Sequence, residues 1–127
     1  MTTVKAMAMA VSLSGAVAVK LRITDVNPIA TSKKPSRAAN EEYIVLKNTS
    51  KTEINLDGYY LAYRSATYPF AINSRIPAGK KLTVFIGKGV PSKRTQYWGR
   101  KGPLLRNTSG TVELLSERNV LISSKKW

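Results

Sequence analysis

The chain contains neither histidine nor cysteine, and its acids are Asp25, Glu41, Glu42, Glu53, Asp57, Glu113 and Glu117. That inventory lacks the commonest general base, the commonest neutral metal ligand and any thiolate. The carboxylates do not fall at the spacing of a calcium loop. Glu41 and Glu42 are adjacent just before a strand-like run. Neighbours on a strand face opposite sides and cannot flank one bond as a catalytic pair. Both are expected to be solvated or paired with lysine. Gly87, Gly89, Gly99 and Gly102 are not followed by the Gly-Lys-Ser/Thr of a phosphate-binding loop. The inventory weighs against a hydrolase or a metalloenzyme, and no catalytic residue, cofactor or metal is expected.

What the residue types favour is binding. The 127-residue chain carries 21 basic against 7 acidic side chains, a net charge of +14. Solubility needs a magnitude of only about 2–8 in a small domain, so an anionic partner is expected. The densest run is Gly87 to Arg106, where Lys88, Lys93, Arg94, Arg100, Lys101 and Arg106 interleave with Tyr97 and Trp98. Three readings of it stand side by side. It suits single-stranded nucleic acid, with cations on phosphates and aromatics stacked on bases. It suits a protein interface, where Trp, Tyr and Arg concentrate. It also suits a solvated loop whose Trp98 packs on the domain. A second basic cluster, Lys33, Lys34 and Arg37, lies in the Pro- and Ser-punctuated stretch Val26 to Asn40, which reads as an exposed loop.

The elements that must position these residues are strands. Tyr43 to Asn48, Leu82 to Ile86 and Thr111 to Leu114 alternate with period two, placing Ile44 and Leu46, then Leu82, Val84 and Ile86, then Val112 and Leu114 inward. Asp57-Gly58 and Ile76-Pro77-Ala78-Gly79 are turn signals. Tyr59, just after the first, reads as core. Tyr68 to Ile72 reads as a short edge strand because of Pro69, and Val120 and Ile122 close a sheet. Asn48-Thr49-Ser50 and Asn107-Thr108-Ser109 match the glycosylation triplet, but turn chemistry explains both. The N-terminal segment resembles a secretory signal, with Ala16-Val17-Ala18 as a cleavage-like triplet. Against that, Val11, Leu13, Val17, Val19, Leu21 and Ile23 share one parity, so residues 11–24 read as strand. The run is too short and interrupted to span a membrane. Residues 1–10 then form an arm that packs on its own domain or on a neighbour.

Tyr43-Ile44-Val45-Leu46-Lys47-Asn48, Leu56-Asp57-Gly58-Tyr59-Tyr60-Leu61, Ala78-Gly79-Lys80-Lys81-Leu82-Thr83-Val84-Phe85 and Asn107-Thr108-Ser109-Gly110-Thr111-Val112 follow one another in an order that resembles the lamin-tail domain family. The resemblance covers roughly residues 20 to 123. It implies an all-β, immunoglobulin-like β-sandwich of about seven strands, here with an extended N-terminal arm. It also implies binding and scaffolding rather than catalysis. Residues 1–19 are assigned to the arm and 20–127 to the sandwich domain. The expected function is a structural subunit docking on a larger assembly, by class analogy a virion decoration or minor structural protein. Met1, Val4, Met7, Met9 and Trp127 would grip neighbouring subunits, with homo-oligomeric contacts among them, and the basic face would meet an acidic protein surface. The alternatives are a nucleic-acid-binding lamin-tail-like module and a secreted or cell-surface adhesive domain. The matching localisation is a virion or other assembly after cytoplasmic synthesis, or secretion under the last alternative.

Overall fold

A computed structural model describes residues 19–127. The expectations placed on Met1, Val4, Met7 and Met9, and on residues 11–18 as strand, lie outside the described residues. The chain runs β1 (Leu21–Asn27), α1 (Pro35–Ala39), β2 (Tyr43–Asn48), β3 (Ile54–Asn55), β4 (Tyr60–Tyr63), β5 (Ala66–Pro69), β6 (Arg75–Ile76), β7 (Lys81–Phe85), β8 (Thr95–Tyr97), β9 (Thr111–Leu115) and β10 (Leu121–Lys126). One four-stranded sheet has the order β1-β2-β7-β8, the other β10-β9-β4-β5, and β3 pairs with β6 alone. The result is the all-β, immunoglobulin-like sandwich that the family resemblance implies.

The period-two pattern decides which residues meet between the sheets. Leu21, Ile23, Ile44, Leu46, Leu82 and Val84 come from the first sheet, and Leu61, Tyr63, Val112 and Leu114 from the second. Tyr59 is buried with them, as its place after the turn suggested. Val45 is also buried, although its parity turns it away from the core, because Thr83 of β7 and Asp25 of β1 flank it across the ladder. β5 is an edge strand as expected, but it runs Ala66–Pro69 rather than Tyr68 to Ile72, and Phe70 turns inward behind it.

Polar side chains seal the gaps between the sheets. The Gln96 side chain accepts from the Tyr68 hydroxyl (2.6 Å) and the Ala71 amide (3.2 Å) and donates to the Ser74 hydroxyl (2.6 Å). This ties edge strand β8 to the opposite sheet beside β5. Asn48 is fully buried and donates to the carbonyls of Thr52 and Ile76, while its Oδ1 accepts from the Ser50 amide and hydroxyl. Its glycosylation-like triplet is therefore turn chemistry, with no access for a glycan.

Two local expectations are corrected. Val26 to Asn40 is not all loop: β1 continues to Asn27, and Pro35 opens the short helix α1. Proline suits the first helical turn, where its missing N–H costs no bond. Ala38 and Ala39 then bury against the domain. Glu42 is not the solvated side chain expected, whereas Glu41 stays accessible but is held by backbone. Glu41 accepts from the amides of Thr31 and Ser32, and Glu42 is buried.

Candidate functional site

The strand registers sort the basic residues between the two ends of the sandwich. Tyr43, Phe85, Tyr97 and Asn27 pair in one row at the end where β2 begins and β7 and β8 finish. In the second sheet the same end holds Tyr63, Thr111 and Lys126, because Arg106 and Trp127 bridge across to Tyr63. The loops at this end carry Lys33, Lys34, Arg37, Arg64, Lys88, Arg100, Lys101 and Arg106, all exposed, with Lys126 at the close of β10. Lys93 and Arg94 precede β8 and lie at the opposite end, in a cleft of about 500 Å³ shared with Arg75, Asn73 and Glu53. The basic run Gly87 to Arg106 is therefore divided, and Lys33, Lys34 and Arg37 join its second half instead.

Among the described residues, the two carboxylates beside these loops, Glu41 and Glu42, are both engaged by backbone. Glu41 Oε1 accepts from Thr31 N (2.7 Å) and Ser32 N (3.0 Å). These amides, Ser32 first, hold the carboxyl below its usual range, with a smaller contribution from Arg37. Glu42 Oε1 accepts from Leu104 N (2.8 Å) and Leu105 N (2.9 Å), and its Oε2 is buried without a hydrogen-bond partner. Burial raises its pKa, opposed by the amides of Leu105 and Leu104. Among the described residues the one ion pair is Arg75 with Glu53 (3.4 Å), at the other end and half exposed. Among the described residues the loop-end cations thus face solvent without an ion pair, although Arg37 still feels the Glu41 charge.

Backbone interlocks fix where these cations project. Asn40, just after α1, donates from Nδ2 to the Lys88 carbonyl (2.8 Å). Gly87 sits so close to Asn40 and Ala39 that a Cβ there would overlap the Asn40 side chain. The Gly99 amide donates to Gly87 O (3.0 Å), the Arg100 amide to Ile86 O (3.0 Å) and the Trp98 amide to Phe85 O (2.8 Å). Lys88, Arg100 and Lys101 are thereby brought beside Ser36 and Asn40 around a cleft of about 150 Å³.

Neither aromatic of the run stands free. Trp98 is half-buried, packs on the core and tilts against Tyr68 with ring centroids 5.6 Å apart. Tyr97 stacks on Phe85 at 5.5 Å, and Gly89 lies directly against its ring. Trp127, expected to grip a neighbour, packs on its own sandwich: it stacks on Tyr63 (5.8 Å) and its Nε1 donates to Arg106 O (2.6 Å). Sequence reasoning missed Ser36, Asn40, Arg64 and the buried Glu42. The signal available for the first two was Pro35 followed by Ala38-Ala39-Asn40, a proline-initiated turn with a small buried face. Among the described residues no group of acids could hold a metal, and no helix is long and apolar enough to cross a membrane.

The family model of the Lamin Tail Domain matches residues 15–127. No curated protein matches the chain significantly in sequence. Among solved structures, the archaellum periplasmic stator protein complex FlaF and FlaG from Sulfolobus acidocaldarius aligns at 14% identity with a TM-score of 0.45, covering 90% of this chain and 93% of that one. The archaellum periplasmic stator protein FlaG from the same organism aligns at 15% identity with a TM-score of 0.42, covering 84% and 97%. The expected virion localisation is corrected by these matches, since the proteins they describe are periplasmic stator components. With TM-scores of 0.45 and 0.42 the likeness carries no argument about this chain, so no location is taken from it in turn.

Proposed function

This chain belongs to the lamin tail domain family, and from that premise we propose that it is a non-catalytic binding domain that docks on a protein partner of a larger assembly through its cationic loop end. The observation that carries this reading is the state of the two loop-end carboxylates. Both are held by backbone amides and neither forms an ion pair, so among the described residues Lys33, Lys88, Arg100, Lys101 and Arg106 have no carboxylate partner, and Arg37 only feels the field of Glu41. A folded domain that gathers like charges on rigid loops raises its own electrostatic energy. An acidic partner surface offsets that cost and steers association.

Nucleic acid is the weaker reading. Its distinguishing requirement is aromatic faces open to bases, and Tyr97 and Trp98 are both occupied by internal neighbours. The docking reading is tested with poly-L-glutamate as a defined acidic polypeptide, following backbone amide NMR shifts at low salt. Shifts confined to residues 33–41, 64, 86–89 and 98–106 support it. Equal shifts around Lys51, Lys80, Lys93 and Arg94 mean that the charge acts only as a diffuse field, and the reading falls.

A further inference from the structure

The cleft between α1 and the loops after β7 and β8 has features that the rest of the cationic surface lacks. Its lining is Ser36, Asn40, Lys88, Arg100 and Lys101, three cations with a hydroxyl and a carboxamide, and no carboxylate. These residues come from three separate segments. The bond from Asn40 to Lys88 O, the close approach of Gly87 to Asn40, and the bond from Arg100 N to Ile86 O hold the segments together. Asn40, Lys88 and Arg100 are therefore positioned by backbone geometry, not by mutual attraction, since Lys88, Arg100 and Lys101 repel one another. The volume, about 150 Å³, equals roughly five waters of liquid volume. That is room for one compact polar group inside the cleft, with whatever carries it lying outside.

We propose that this cleft binds a single phosphate monoester dianion. The inference rests on the docking function above and deepens it by naming the group that the partner presents. A phosphate monoester carries about −1.5 to −2 charges at pH 7 and three strong acceptor oxygens. Arginine offers a planar fork of donors to such oxygens, and lysine a compact point charge. Ser36 and Asn40 add neutral donors of the kind that fix orientation. A phosphodiester brings one charge per residue in a line, whereas these donors converge on one small cleft. The same dianion comes from two sources, a phosphorylated side chain of a partner protein or free phosphate, and the two are separated by experiment.

The test titrates the whole chain with inorganic phosphate, with a serine-centred peptide in phosphorylated and unphosphorylated form, and with a single-stranded oligonucleotide. Amide shifts of Gly87, Gly89, Gly99 and Gly102 report on the cleft. Saturable shifts with phosphate are expected. The phosphopeptide binds about tenfold or more tightly than its unphosphorylated form if the source is a partner protein; equal binding of phosphate and phosphopeptide assigns the site to free phosphate. Arg100→Gln with Lys101→Gln weakens binding by about tenfold or more, whereas Lys93→Gln with Arg94→Gln, the same charge change at the other end, stays within about twofold. The proposal is overturned if phosphate shifts nothing in the cleft, if the two double variants weaken binding equally, or if only the oligonucleotide binds. If poly-L-glutamate still maps to the loop end while phosphate fails, the phosphate site falls and the docking surface stands.

Discussion

Replacing Glu42 with alanine removes the acceptor shared by Leu104 N and Leu105 N, at 2.8 and 2.9 Å. An unsatisfied buried donor costs about 1–3 kcal/mol. The Leu105 bond is buried and the Leu104 bond only partly so, which gives the first its full cost and the second a share of it. The sum is roughly 2–4 kcal/mol, a large part of the 5–15 kcal/mol that holds a typical domain folded. Glu42→Gln keeps an acceptor for both amides and should lose clearly less. The two variants also separate by pH. Burial raises the folded pKa of Glu42 above its ordinary value of 4.5, so the folded state binds the proton more tightly than the unfolded one. Its contribution is fully present below 4.5 and declines as pH rises from there through the raised folded pKa. Glu41 acts with the opposite sign: its lowered pKa makes its contribution fade as pH falls below 4.5. Urea unfolding across this range should show wild-type stability declining above 4.5, with the decline absent in Glu42→Gln. An alanine variant within about 0.5 kcal/mol of wild type, the scatter of ordinary surface substitutions, would refute the reasoning. So would a glutamine variant with the wild-type pH slope.

Other outcomes follow from the same contacts. Gln96→Leu strips partners from the Tyr68 hydroxyl and the Ala71 amide and should lower stability by about 1–3 kcal/mol in urea unfolding. Leu82→Ala, at a fully buried site between the sheets, should cost about 2–5 kcal/mol, read the same way. Trp127→Ala removes the stack on Tyr63 and the bond to Arg106 O; a loss of roughly 1–3 kcal/mol is expected from calorimetry. A variant as stable as wild type would mean that the terminal indole is not held by its own domain. Gly87→Ala forces Asn40 aside and should shift the amides of Lys88 and Arg100 while leaving those around Lys93 unmoved.

The sandwich was legible in the sequence because β7 and β9 keep a clean period of two. Leu82 and Val84 on β7, and Val112 and Leu114 on β9, alternate with polar or half-buried neighbours, and all four are buried. β8 was not legible. Thr95-Gln96-Tyr97 is too short to show a period, and its inward residue is a glutamine satisfied by Tyr68, Ala71 and Ser74, partners at least 22 positions away in sequence. The burial of Glu42 was hidden for the same reason, since the amides that hold it lie more than 60 positions downstream. The basic residues were visible one by one, but their grouping was not. Proximity in sequence joined Lys93 to Arg100, whereas the parallel pairing of β8 with β7 sends them to opposite ends and brings Lys88 to α1.

The central claim is that the loop end, not total charge, makes the binding surface. It is tested most directly by neutralising equal charge at each end and measuring affinity for poly-L-glutamate as a function of salt. Changing Arg37, Lys88, Arg100 and Lys101 together to glutamine should abolish binding at about 50 mM salt, where screening between exposed charges is still weak. Changing Lys51, Lys80, Lys93 and Arg94 together should leave most of the affinity. Equal losses in the two variants would contradict the claim.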